Sequence, residues 1–265
     1  MTTAFVPYCG HSPVPGALTW NTDPILISIL CVIGATYALS CRTGDAPATR
    51  ERCYFGLGLF MTAAAFLSPL CNLSVALFSA RVAQHIILTL IAAPLIVLGR
   101  PESAIARMLT RRGRARQPPS RVAASGVAFA LAMWTWHMPG PYDATLRSNV
   151  VYWLMHLTLF GSALVMWHCL LRDQNRAATA VTAVATGIQM GLLGALLTLA
   201  PRPLFVVHFS TTWPWGLSPL QDQQLGGVIM WVLAGTLFTA YGLAAFATWL
   251  NADDGPTKIA SRRFG

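Results

Sequence analysis

The chain has 265 residues, 55% of them hydrophobic and only 10% charged, with a mean hydropathy of +0.54 and a formal net charge of +9. A soluble domain carries roughly a quarter charged residues, so the composition excludes a soluble globular fold and predicts an all-α, polytopic membrane protein. The positive charge reads as a topology signal rather than a nucleic-acid surface.

Residues 1–23 contain Pro7, Pro13, Pro15, Gly10 and Gly16 and lack both a basic start and a long apolar core. They are expected to form an extended external arm, not a cleavable signal peptide. Residues 24–250 form the membrane domain. Seven apolar segments follow one another at 24–41, 54–70, 78–98, 122–138, 150–171, 178–200 and 225–250. Each is near the ~20 residues that a bilayer demands. Gly187, Gly191 and Gly194 in the sixth suit close helix packing. The segment 201–224 is too polar to span and too aromatic to float, with Phe205, Phe209, Trp213 and Trp215. It is expected to lie at the interface as a lid. Residues 251–265 are read as a tail.

Fifteen of the eighteen basic residues fall in the first, third and fifth connections and in this tail; only Arg81, Arg147 and Arg202 fall elsewhere. Positive charge is retained on the cytoplasmic side, so the N-terminus is expected outside and the tail in the cytoplasm.

That topology gathers His11, His85, His137, His156 and His208 on the outer side and leaves His168 alone near the inner one. His85 and His156 each sit about 10 Å below the outer edge at 1.5 Å per residue. An ionisable group inside a membrane is expensive, and several at one depth suggest a shared site. A lone histidine at a helix end can equally hydrogen-bond a carbonyl. Arg81 lies four residues before His85, on the same helical face. A neighbouring cation favours neutral imidazole, the form that binds metal. Trp134 shares a face with His137, and Trp153 with His156, as dry walls or as ordinary interfacial tryptophans.

Soft donors lie nearby in sequence: Met138 beside His137, Met155 beside His156, and Cys9 two residues before His11. Imidazole with thiolate and thioether suits Cu(I) better than a hard cation. Methionines in such helices are more often packing filler. Cys9 and Cys71 are alternatively a disulfide pair in an oxidising compartment. Walker A, H-E-x-x-H and G-x-S-x-G motifs are absent, so no enzyme chemistry is visible.

Gln84-His85 with Ala93-Pro94-Leu95 and Leu98-Gly99-Arg100-Pro101, Trp136-His137-Met138-Pro139 with Tyr142-Asp143, His156, and Asp222-Gln223-Gln224-Leu225-Gly226-Gly227 with Met230-Trp231 form a set of motifs. Together they resemble those of the CtaG-type cytochrome c oxidase assembly factors. The resemblance runs from the second apolar segment to the seventh. It departs at Met155, where the family's pattern has an acidic residue. It implies a non-enzymatic factor in the bacterial inner membrane that matures a haem-copper oxidase. Its partners would be oxidase subunits, lipid and a periplasmic copper chaperone. On this reading His85, His137 and His156 are the core ligands of Cu(I). His208 and Asp222 are entry groups, Cys9 and His11 a mobile capture arm, and Met138 an adjacent soft donor. The alternatives are b-type haem held between His85 and His156, and a scaffold that binds no metal.

Overall fold

A computed structural model describes residues 5–42, 47–102 and 121–253. Arg107, Arg111, Arg112, Arg114, Arg116, Lys258, Arg262 and Arg263, most of the basic residues behind the expected orientation, lie outside the described residues. Every regular element among the described residues is helical.

Helix α1 spans Pro24–Ser40, α2 Thr49–Leu67 and α3 Pro69–Ala76. Helix α4 covers Phe78–Leu98 and contains a π-helical turn at Ile87–Ala92. Helices α5 to α8 span Val122–Trp136, Pro139–Thr145, Asn149–Arg172 and Arg176–Leu199. Helix α9 begins at Pro219–Ile229, passes a π turn at Met230–Ala234 and continues as Gly235–Asp253, slightly beyond the expected boundary at 250.

Among the described residues four helices are long and apolar enough to cross a membrane: α4, α7, α8 and the Pro219–Leu250 stretch of α9. The α2 and α3 pair also qualifies, bent by 47° at its break. Helices α1 and α5, at 17 and 15 residues, fall short of the ~20 that a straight crossing takes. Leu131, Leu157, Val181, Ile188, Leu192 and Leu243 are exposed, whereas Arg81, Gln84, His85 and Thr89 are buried. Apolar residues outward and polar residues inward is the arrangement that suits lipid, where unpaired polar groups are costly.

The breaks in these helices have identifiable causes. Pro69 has no N–H for the carbonyl of Ala65, four residues back, so α2 ends and the chain turns into α3. The Gln84 side chain donates to that orphaned carbonyl at 2.8 Å and ties α4 to α2. Pro94 removes a donor in the same way inside α4. The π turn precedes it, and the Trp167 indole donates to the carbonyl of Thr89, 2.8 Å away. The glycine face of α8 meets α9 as expected: a Cβ on Gly194 would lie 2.7 Å from the carbonyl oxygen of Gly227. Gly226 lets α9 approach α4, since a Cβ there would lie 2.6 Å from the Phe78 ring.

The arm is docked rather than mobile. Tyr8 stacks on Tyr152 with ring centres 4.9 Å apart, and its hydroxyl donates to Asp23. The Asn72 amide donates to the carbonyls of Cys9 (3.0 Å) and His11 (2.9 Å). The backbone N–H of Asn21 donates to the carbonyl of Leu67 at 3.0 Å. The segment before α9 closes over the same end through two 3₁₀ turns, at Val206–His208 and Trp213–Trp215. Phe205 is buried there on Phe78 and Tyr142, and the Trp215 indole donates to the carbonyl of Pro13.

Candidate functional site

Three helices bring three histidines together. His85 comes from α4, His137 caps the end of α5 and His156 lies in α7; all three are buried. His85 is the hub, with its ring centre 5.7 Å from that of His137 and 5.3 Å from that of His156.

The backbone sets two of the three tautomers. His137 Nδ1 lies 2.8 Å from the carbonyl oxygen of Met133, and His156 Nδ1 lies 3.0 Å from that of Tyr152. A carbonyl only accepts, so each Nδ1 is the protonated donor. In the neutral ring Nε2 then carries the lone pair. Helix geometry supplies this arrangement, because each carbonyl belongs to the residue four positions earlier. A backbone carbonyl on one ring nitrogen is the usual way of orienting the other toward a metal. His156 Nε2 has no hydrogen-bond partner, and neither has either nitrogen of His85. Three buried imidazole nitrogens without partners are unusual, since buried polar atoms are nearly always paired.

The walls are aromatic. Phe66, Tyr152 and Trp153 contact the His156 ring, with centres 5.0, 4.3 and 6.4 Å away, and Phe78 meets His137 edge-on. Trp153 is therefore a wall. Trp134 instead donates its indole N–H to Gln189. The His85 and His156 rings meet edge to face, with their planes 73° apart. Among the described residues no three His, Cys, Asp or Glu side chains converge as a ready metal site.

Arg81 lies one turn from His85 and is fully buried. Its guanidinium sits between the rings of Tyr142 and Tyr152, 5.7 and 5.6 Å from their centres. It donates to the carbonyl of Ser74 and the hydroxyl of Thr145.

The other predicted site residues lie apart from the trio. His208 is buried, but both its nitrogens are engaged. Nδ1 donates to the carbonyl of Ala76 (3.1 Å), and Nε2 accepts from the Tyr142 hydroxyl (2.7 Å). Burial and the nearby Arg81 charge push its pKa down to about 3. Asp222 accepts from the backbone N–H groups of Phe78 and Ser79 and from the Ser79 hydroxyl. It caps the start of α4, where a carboxylate also meets the positive end of the helix dipole. His11 and Met138 are exposed. His137 and Met138 are neighbours in sequence but point to different environments. Cys9 is bonded to Cys71, with Cα atoms 5.4 Å apart. A disulfide sulfur has no thiolate to offer, so the oxidised protein does not use Cys9 as a ligand.

Sequence reasoning missed Tyr152 and Asn72. Tyr152 stands one helical turn before His156, and Asn72 directly follows Cys71; those spacings were the available signals. No curated protein and no solved structure matches the chain. The model of one family, the cytochrome c oxidase caa3 assembly factors, matches residues 33–252, most of the chain and every helix that contributes a histidine to the trio. The chain belongs to the caa3 cytochrome c oxidase assembly factor family.

Proposed function

We propose that the protein carries copper, as Cu(I), on His85 with His156 and His137, and passes it to a subunit of the oxidase that it helps to assemble. The observation that carries this reading is the set of buried imidazole nitrogens without partners on His85 and His156. Copper is cargo here. A transfer protein is served by few ligands and an exchangeable site, because a closed four-ligand site would hold its ion too firmly. Two imidazoles with N–metal bonds of about 2 Å stand with ring centres roughly 5 Å apart. The spacings about His85 are close to that value, and rotation of the rings would turn the nitrogens inward.

We further read seven crossings, with the arm and the trio at the outer, periplasmic side of a bacterial inner membrane. The arginine distribution supports this orientation. So does a disulfide at the histidine end, which suits an oxidising compartment. A periplasmic copper chaperone is the natural donor to a site so placed. Helices α1 and α5 would then cross with their neighbouring turns, or where the bilayer thins.

The test is bound metal and the visible spectrum of the purified protein, wild type beside His85→Ala/His156→Ala. The expected result is copper without a Soret band, lost in the double variant while protein yield is kept. A Soret band would replace copper with haem. No bound metal after supply of Cu(I) would leave a scaffold that assists assembly by contact alone.

A further inference from the structure

We propose that Cys9 and Cys71, once reduced, form a two-thiolate entry site for a soft monovalent metal ion, one layer outward of the histidine trio, and that the disulfide is the closed state of this site. The inference rests on the copper reading above.

Both cysteines are buried, and the Tyr152 hydroxyl lies 3.3 Å from the sulfur of Cys9 and 3.7 Å from that of Cys71. The Asn21 amide points at the Cys71 sulfur from 3.9 Å. The Arg81 guanidinium lies against the face of the Tyr152 ring. Hydrogen-bond donors aimed at the sulfurs stabilise thiolates once the bond is cut. Two thiolates are soft ligands suited to Cu(I).

The same Tyr152 forms the floor of this pair and the roof of the trio. Its ring lies 4.3 Å from that of His156, and its carbonyl accepts the His156 Nδ1 proton. An ion leaving the sulfurs therefore has one side chain to pass before the first lone pair of the trio.

The scaffold holds the two cysteines together without the covalent bond. Asn72, the residue after Cys71, clamps the carbonyls on both sides of Gly10. Gly10 takes a φ of +94°, which a residue with a side chain rarely adopts. Tyr8 on Tyr152 and Trp215 on Pro13 fasten the arm as well. Reduction would thus leave a paired dithiol rather than a free tail.

The redox step is thiol–disulfide exchange with an external dithiol, such as a disulfide oxidoreductase would supply. One external thiolate attacks a sulfur, breaks the Cys9–Cys71 bond and forms a mixed disulfide. The second external thiol resolves it, and the reductant leaves as a disulfide. Two electrons and two protons end on Cys9 and Cys71. When Cu(I) binds, the thiol protons go to solvent and the metal keeps its oxidation state.

The experiment counts Cu(I) per full-length chain, anaerobically against a competing Cu(I) chelator. It uses protein carrying Cys31→Ala, Cys41→Ala, Cys53→Ala and Cys169→Ala, so that only Cys9 and Cys71 remain. The reduced protein should take up one more Cu(I) than the oxidised protein, and reoxidation should abolish the difference. Adding Cys9→Ser/Cys71→Ser should also abolish it. If that variant does not fold, alkylating both reduced thiols serves instead. Equal uptake in the two redox states, or an extra ion that survives loss of both thiols, overturns the proposal. Adding His85→Ala/His156→Ala separates the two readings. Loss of the trio's ion with the redox difference intact supports both. Unchanged total uptake sinks the histidine reading and leaves the dithiol site standing.

Discussion

The two ends of the helix bundle are built on opposite principles. At the histidine end, polar groups are buried and held by fixed, short-range partners: Arg81 between two tyrosines, Asp222 on the start of α4, and His208 between Ala76 and Tyr142. At the other end, charge is partly or fully exposed and loosely paired. Arg100 meets Glu51 at 3.4 Å, Arg172 meets Glu102 at 3.7 Å, and Arg50 lies over Tyr54. Tyr37 donates to the carbonyl of Gly99 and stacks on Phe55 there, and Arg172 donates to the carbonyl of Val97. Burial raises the stake of each interaction, because an unpaired group in low dielectric bears its full desolvation cost. The contrast teaches where specificity resides. The described contacts of the arginine end are longer-range charge pairs, whereas the histidine end holds atoms in place.

Substitutions should divide accordingly. Arg81→Ala is expected to cost the most, roughly 3 kcal/mol or more, because it leaves a cavity and strips a carbonyl and a hydroxyl of their donor. Thermal unfolding in detergent would measure it; a change within ~0.5 kcal/mol would mean that the buried cation is dispensable. Gly194→Val should follow at about 1–3 kcal/mol by overpacking α8 against α9. An unchanged unfolding temperature would place that helix contact elsewhere.

The pH response should also come from the histidine end. His208 titrates near ~6.5 in the unfolded chain and is held down to about 3 in the folded one. Between those values the unfolded chain binds more protons, so stability rises with pH through the window and is lost on acidification. His208→Gln should flatten part of that slope below about pH 6 in unfolding-temperature scans, given the ~6.5 reference. An identical slope in the variant would show that His208 contributes nothing to it. The smallest effect belongs to the arginine end. Glu51→Gln removes an exposed pair and should cost less than ~1 kcal/mol, fading with added salt.

Much of this contrast was legible in the sequence, and the reasons differ by region. Apolar length and hydropathy made the helices readable, because a bilayer imposes one length scale on every crossing. His85, His137 and His156 could be grouped because the expected topology puts all three on one side of the membrane. The same argument grouped His208, Asp222 and Met138 with them by depth alone. Depth says nothing about direction around a helix, and the structure turns Met138 outward and commits His208 and Asp222 to backbone partners. Prolines and glycines in the arm point to an extended chain without regular structure, which is not a chain without contacts. Its anchor, Asn72, lies more than sixty residues away, and no local pattern reports a pairing of that range. Helix α3 lies mostly beyond the expected 54–70 segment, because Pro69 starts a new helix there at N1.

The most direct test of the histidine trio as a cargo site is X-ray absorption at the copper edge on Cu(I)-loaded protein with the Cys9–Cys71 bond intact and Cys31, Cys41, Cys53 and Cys169 replaced by alanine. Imidazole nitrogen scattering with no sulfur shell, lost in His85→Ala/His156→Ala, is the predicted result. A sulfur-dominated spectrum, or a nitrogen shell that survives the double substitution, would contradict it.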